Sequence, residues 1–259
     1  MCGAMAFQKH NVHFLLWSLN GLARITNIRH SSSTKFDATF FTEERKKSCM
    51  SSLARSSDEY SRLFRSVPTS LTAAVLVPFC FNQRGEPAVL LTLRSQNLAR
   101  HAGLISFPGG IADKDDVSPT ETALRETEEE LGIPPVNVDV WGPIHPLPSL
   151  GSEISVTPVV AFVRSTASLV DELVVNKNEV EKVFMPSLES LCDPRGWEYT
   201  KLQYPGAPRH LAPVFVLDGD ERIWGLTAKI LHLCMASILP ELYCRDCVQL
   251  AGAGNGGKL

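Results

Sequence analysis

Four carboxylates crowd five consecutive positions: Glu126, Glu128, Glu129 and Glu130, directly after Arg125 and interrupted only by Thr127. On a helix, Glu126, Glu129 and Glu130 stand at i, i+3 and i+4, so they project within about a third of the circumference. Left alone, each close pair of like charges costs about 0.2–0.5 kcal/mol. A divalent cation reverses that sign. Hard oxygen donors converging on one point suit Mg²⁺ or Mn²⁺, which are held by carboxylates together with phosphate oxygens of a substrate. The chemistry expected is metal-assisted attack of water on phosphorus, with one carboxylate accepting the proton. Glu129 is the first candidate for that base, and Glu179 or Glu181 could enter from another segment. The competing explanation is a solvated charged face, but a helix built for solubility would intersperse lysines, and this stretch has none.

A helix must carry these residues, and its ends are signed. Ser118-Pro119-Thr120-Glu121 reads as a capping box with proline at the first helical position, and Gly132 followed by Pro134-Pro135 supplies the stop. Leu124, Thr127 and Leu131 are expected on the face opposite the three glutamates, against a sheet. Arg125 lies four residues after Glu121 and four before Glu129, and is expected to pair with both.

Gly110, Asp116 and the run Arg125 to Ile133 resemble the Nudix box: glycine, five residues, glutamate, seven residues, then Arg-Glu-aliphatic-x-Glu-Glu-x-Gly-aliphatic. Three departures stand out. Asp116 replaces the first glutamate, the gap from it to Arg125 is one residue longer, and Thr127 takes the aliphatic place. The resemblance implies an α/β fold, an α/β/α sandwich with a mixed β-sheet. It also implies Glu126, Glu129 and Glu130 as ligands of Mg²⁺ (or Mn²⁺), with Arg125 orienting them.

Upstream, Leu90-Leu91-Thr92-Leu93-Arg94-Ser95 and Gly103 to Gly110, which ends in Phe-Pro-Gly-Gly, are similar to the signature of Nudix enzymes that cleave coenzyme A. Ala99 stands where that signature has a second arginine, and Arg100 follows it. With Arg222 to Ala228, the stretch from about 69 to 240 resembles the mitochondrial and peroxisomal coenzyme A diphosphatases of animals. The resemblance implies a small-molecule substrate, coenzyme A or an acyl-CoA, cut to 3′,5′-ADP and (acyl-)4′-phosphopantetheine. The candidate substrate-binding residues are Arg94, Ser95, Arg100, His101, Gly109 and Gly110. The cations would meet the anionic oxygens of coenzyme A. Gly109-Gly110 reads as a tight turn whose bare backbone lets N–H groups approach a phosphate. Two other readings stand beside this one: a Nudix diphosphatase for nucleotide sugars, dinucleoside polyphosphates or capped nucleotides, and a Nudix-fold module that binds a ligand without turnover.

The formal net charge of −3 lacks the basic surplus of a nucleic-acid binder, so no nucleic-acid partner is expected. Residues 1–36 contain no Asp or Glu, while Lys9, Arg24, Arg29 and Lys35 are spread among Phe14, Leu15, Leu16, Trp17 and Leu19. That is the composition of a mitochondrial transit peptide. His13, Asn20 and Arg24 break the apolar run well short of the ~20 residues a membrane span needs, so no membrane partner is expected. Residues 37–68 read as a linker and short helix, 69–240 as the catalytic domain, and 241–259 as a flexible tail. The last three residues, Gly257-Lys258-Leu259, fall one substitution short of a peroxisomal address. Seven scattered cysteines, including Cys244 and Cys247 in a lone CxxC, lack disulfide-framework spacing.

Strands are expected at 71–79 and 88–93, joined as a hairpin through Asn82 to Gly85, and near 137–144, 154–163, 180–184, 198–204 and 212–217. A helix is expected from Trp224 to Leu239. The turn-rich segment His145 to Ser152 is a candidate border of the cleft.

Overall fold

The computed structural model describes residues 36–37, 39–64, 70–98, 101–149, 153–164, 173–202, 210–217, 219 and 221–243. Residues 1–35, which make up all but the last residue of the expected transit peptide, together with Arg100, the CxxC cysteines and the terminal tripeptide, lie outside the described residues.

The main sheet is built on two long strands, β1 (Leu71–Phe81) and β8 (Ile154–Val163), which run parallel from Leu71 opposite Ile154 to Phe79 opposite Phe162. Parallel neighbours need a crossover, and the acidic helix lies within it. The free edge of each long strand is shared by two short antiparallel partners. On β1 these are β2 (Pro87–Val89) and β5 (Gly109–Ile111); on β8 they are β6 (Val138–Pro143) and β7 (Leu147–Pro148).

Two prolines inside the long strands explain the split edges. A proline cannot donate to a ladder. Pro78 falls between the residues paired with β5 and those paired with β2, and its carbonyl accepts from Leu90 at 3.0 Å. Pro158 falls likewise between the β7 and β6 pairings, accepting from Ile144 at 2.9 Å. Each missing N–H therefore points at a junction between partners. The expected strand 88–93 is divided for the related reason that Leu90 bonds back to Pro78. Val89 ends β2, and Leu91 opens β3 (Leu91–Arg94) in a second sheet, between β4 (Ile105–Ser106) and β9 (Val180–Phe184). All four residues Ala88 to Leu91 are buried, so no periodicity marked the break. Only the β2 part belongs to the hairpin with β1.

Alternation along β1 and β8 separates two cores. Ala74, Leu76 and Cys80, with Val159, Ala161 and Val163, face helix α2 (Pro119–Leu131) through Ala123 and Leu131. Val77, Phe79 and Val160 face the opposite side, against α1 (Glu43–Phe64) and α4 (Gly225–Ile238). Helices thus cover both faces of a mixed sheet. Residues 43–64 form one continuous 22-residue helix, longer than the short helix expected, which buries Cys49 and Leu53. Every α4 residue from Ala228 to Ile238 is buried, and the helix contributes to the core rather than capping it. The remaining elements are α3 (Leu188–Leu191) and a sheet of β10 (Trp197–Leu202), β11 (His210–Val216) and β12 (Arg222–Ile223).

Candidate metal and diphosphate site

Helix α2 begins and ends where its caps place it. The Ser118 hydroxyl accepts from the Glu121 amide at 3.2 Å, and the Glu121 carboxylate accepts from the Val117 amide at 2.7 Å. Gly132 adopts φ 69°, and its N–H donates to the Glu128 carbonyl at 2.8 Å. Glu121 is therefore occupied at the cap and is not a partner of Arg125, contrary to the spacing argument. Asp116 takes that place. Arg125 grips it with two bonds, Nε to Oδ1 at 3.0 Å and Nη2 to Oδ2 at 2.9 Å. Its Nη1 donates to Glu126 at 2.9 Å and to both Glu129 oxygens at 3.2 and 3.3 Å. A forked guanidinium suits such a task, because it holds several oxygens in fixed directions at once. The Arg125 bond holds the Asp116 carboxyl well below the usual carboxylate range.

The buried side of α2 comprises Thr122, Ala123, Thr127, Glu130 and Leu131. Thr127 fits an apolar site because its hydroxyl donates to the Ala123 carbonyl one turn back, at 2.6 Å. Glu130 shares this buried side rather than lying opposite it, with 2% of its surface exposed. The acidic face is thus divided by environment. Glu129 stands at the rim, its side chain 54% exposed, while Glu130 is enclosed and Glu126 is intermediate.

The structure brings together carboxylate oxygens of Glu126, Glu130 and Glu179, all within 4.8 Å of one another. Glu129 is not among them. Glu179 reaches the site because the segment before β9 is laced to the open end of α2: Val174 N–H donates to the Leu131 carbonyl and Asn176 N–H to the Glu130 carbonyl, both at 2.9 Å. From the other side, the Ser95 amide donates to the Glu179 carbonyl at 2.8 Å. A bulge at Leu93/Arg94, where β3 pairs first with Lys182 and then with Val180, displaces Glu181, which is exposed. Nothing local in the sequence joins Glu179 to the acidic helix; only the sheet pairing does.

Glycines make room for this cluster. A Cβ on Gly110 would lie 2.5 Å from the Glu126 carboxylate carbon, and one on Gly109, at φ 148°, would collide with the Ala74 carbonyl oxygen. The pair belongs to strand β5 rather than to the tight turn expected.

Burial pushes the Glu130 carboxyl up to about 8, aided by Glu126 and Glu179 and opposed by Arg94. Burial also raises Glu126. Arg94 Nη1 stands 3.6 Å from Glu130 Oε1, yet Glu130 Oε2 and Arg94 Nε are buried without a hydrogen-bond partner. An enclosed carboxylate oxygen left without a donor costs free energy unless a cation reaches it. Oxygens on opposite sides of an ion the size of Mg²⁺ are about 4.2 Å apart, so small rotations would close this trio on one. The donor set fits a hard divalent cation.

The remaining candidates are placed as follows. The Ser95 side chain is buried, and its hydroxyl accepts from the Asn97 amide at 3.3 Å. His101 is exposed at φ 57°, opening a turn in which the Gly103 N–H donates to the Arg94 carbonyl. The segment His145 to Ser149 contains β7 and is paired into the main sheet.

Comparison with known proteins gives this arrangement its lineage. Residues 70–204 match the NUDIX domain. The chain is 42% identical to the mitochondrial coenzyme A diphosphatase NUDT8 of Mus musculus, over 75% of this chain and 88% of that protein. It is 42% identical to NUDT8 of Homo sapiens, covering 66% and 71%, and 31% identical to Nudix hydrolase 3 of Caenorhabditis elegans, covering 81% and 91%. With the matched region spanning the two main strands, the glutamate helix and Glu179, this chain belongs to the Nudix hydrolase family.

Proposed function

We propose that this enzyme hydrolyses the diphosphate bond of coenzyme A, or of its acyl thioesters, with Mg²⁺ or Mn²⁺, giving 3′,5′-ADP and (acyl-)4′-phosphopantetheine in mitochondria. The observation that carries the reading is the meeting of two motifs: Arg94, from the coenzyme A-type signature, lies 3.6 Å from Glu130 of the Nudix helix. The 42% identity to enzymes named mitochondrial coenzyme A diphosphatases supports the substrate and the compartment, as does the acid-free composition of residues 1–36.

In this reading Glu126, Glu130 and Glu179 hold the cation. A bound divalent ion polarises a phosphoryl oxygen and lowers the pKa of water beside it. Arg94, whose side chain beside Glu130 is 24% exposed, would meet a phosphate oxygen of the substrate. Arg125 is the orienting residue, fixing Glu126 against the Gly109-Gly110 strand and Glu129 at the rim. Glu129, solvent-facing and paired with Arg125, would accept the proton of the attacking water. Ser95 positions Glu179 through its amide, while the exposed His101, with Arg100 next to it in sequence, is the candidate to receive the 3′-phosphate.

Mass identification of products tests this. Coenzyme A and acetyl-CoA, incubated with enzyme and Mg²⁺, are expected to yield 3′,5′-ADP with 4′-phosphopantetheine or its acetyl form. Preferential cleavage of nucleotide sugars or dinucleoside polyphosphates, unaffected by removal of the 3′-phosphate from coenzyme A, would overturn the substrate assignment.

A further inference from the structure

We propose that Asn176 is a positioning residue that aims the Glu179 carboxylate at the cation site; this rests on reading Glu126, Glu130 and Glu179 as metal ligands.

Glu179 is the one member of the trio that does not belong to α2, so its direction must be set by something else. Arg125 does that work for Glu126, and burial confines Glu130. Glu179 starts from a turn of three residues before β9, a place where a side chain ordinarily samples several rotamers.

Asn176 removes that freedom with every polar group it has. Its backbone N–H donates to the Glu130 carbonyl at 2.9 Å, fixing the turn to the helix that carries the other ligands. Its carbonyl accepts from the Glu179 and Val180 amides at 3.0 and 2.9 Å. The side-chain Oδ1 accepts from the Asn178 amide at 3.1 Å, closing a turn on itself. That bond leaves the amide Nδ2 facing the other way, and it donates to Glu179 Oε1 at 3.1 Å. The two side-chain bonds demand opposite chemistry, an acceptor at one tip and a donor at the other, which an amide supplies and a carboxylate or hydroxyl does not. A neutral donor on one carboxylate oxygen orients Glu179 without competing as a counter-charge, and leaves its other oxygen for the cation. Metal-ligating carboxylates are commonly held by such outer partners.

The test is Mn²⁺ binding, followed by electron paramagnetic resonance, in wild type, Asn176→Ser, Glu179→Gln and the double variant. Serine keeps an acceptor for the Asn178 amide but cannot span the distance to Glu179. Asn176→Ser is expected to weaken Mn²⁺ binding ~10-fold with little change in thermal stability, and to have no further effect once Glu179 is glutamine. Should the serine variant unfold, Asn176→Thr, which keeps the same acceptor, serves in its place. Equal losses in both backgrounds, or Mn²⁺ affinity unchanged in Asn176→Ser while Glu179→Gln weakens it, would overturn the positioning role. Unchanged affinity in Glu179→Gln would instead remove Glu179 from the metal site, and this role with it.

Discussion

Glu130→Gln is expected to lower turnover by more than about 100-fold while making the metal-free protein more stable. Outer-shell changes at metal sites cost about 10–100-fold, and loss of a direct ligand should exceed that. The stability effect has the opposite sign because the glutamate is 2% exposed and its Oε2 has no hydrogen-bond partner. Its folded pKa, pushed from 4.5 to about 8, means that folding takes up a proton. The stability linked to this group is present below pH 4.5 and is lost as pH rises through about 8. Glutamine has no proton to lose, so near pH 8 the variant should melt higher, by roughly 2–4 °C for each kcal/mol recovered. Mg²⁺ reverses the comparison. It must displace a proton at low pH and none at high pH, so the Mg²⁺-induced rise in Tm of the native enzyme should be larger near pH 9 than near pH 6. The glutamine variant should show little rise at either. Paired thermal scans with kcat measurements check this. A variant that keeps its turnover, or melts lower without metal, would contradict it.

The second large effect concerns Arg125. Arg125→Lys should reduce kcat by about 10–100-fold, and Arg125→Ala by at least as much. One guanidinium grips Asp116 with two bonds and reaches Glu126 and Glu129 at the same time; an ammonium cannot reproduce that fork. Without it, Glu126 and Glu129 repel each other in place. The Mg²⁺ concentration needed for half-maximal activity should rise as Glu126 loses its orientation, and Asp116→Asn should move both quantities the same way. Arg125→Lys with activity within about twofold of native would show that charge alone suffices.

These two residues also mark how far the sequence could be read. Caps, glycine stop and glutamate spacing placed α2 correctly because they are local: Ser118, Glu121 and Gly132 act within one turn of their own positions. Strands β8 and β9 were equally plain, as apolar or alternating runs between breaks. The partner of Arg125 was not legible. Helical spacing favoured Glu121, whereas a loop folding back past Ile111 delivers Asp116. Glu179 joins Glu126 and Glu130 only through pairing of β3 with β9 and the bonds from Val174 and Asn176 to the end of α2. Those are long-range facts with no local signature. The break at Leu90 was hidden likewise, because every residue around it is buried and alternation carries no signal there.

Anomalous diffraction from crystals soaked in Mn²⁺ tests the central claim most directly. A peak touching carboxylate oxygens of Glu126, Glu130 and Glu179 together is expected, at roughly the 2.1 Å of a small hard dication. A peak held by Glu129 and Asp116 away from that trio, or none near α2 at saturating Mn²⁺, would contradict it.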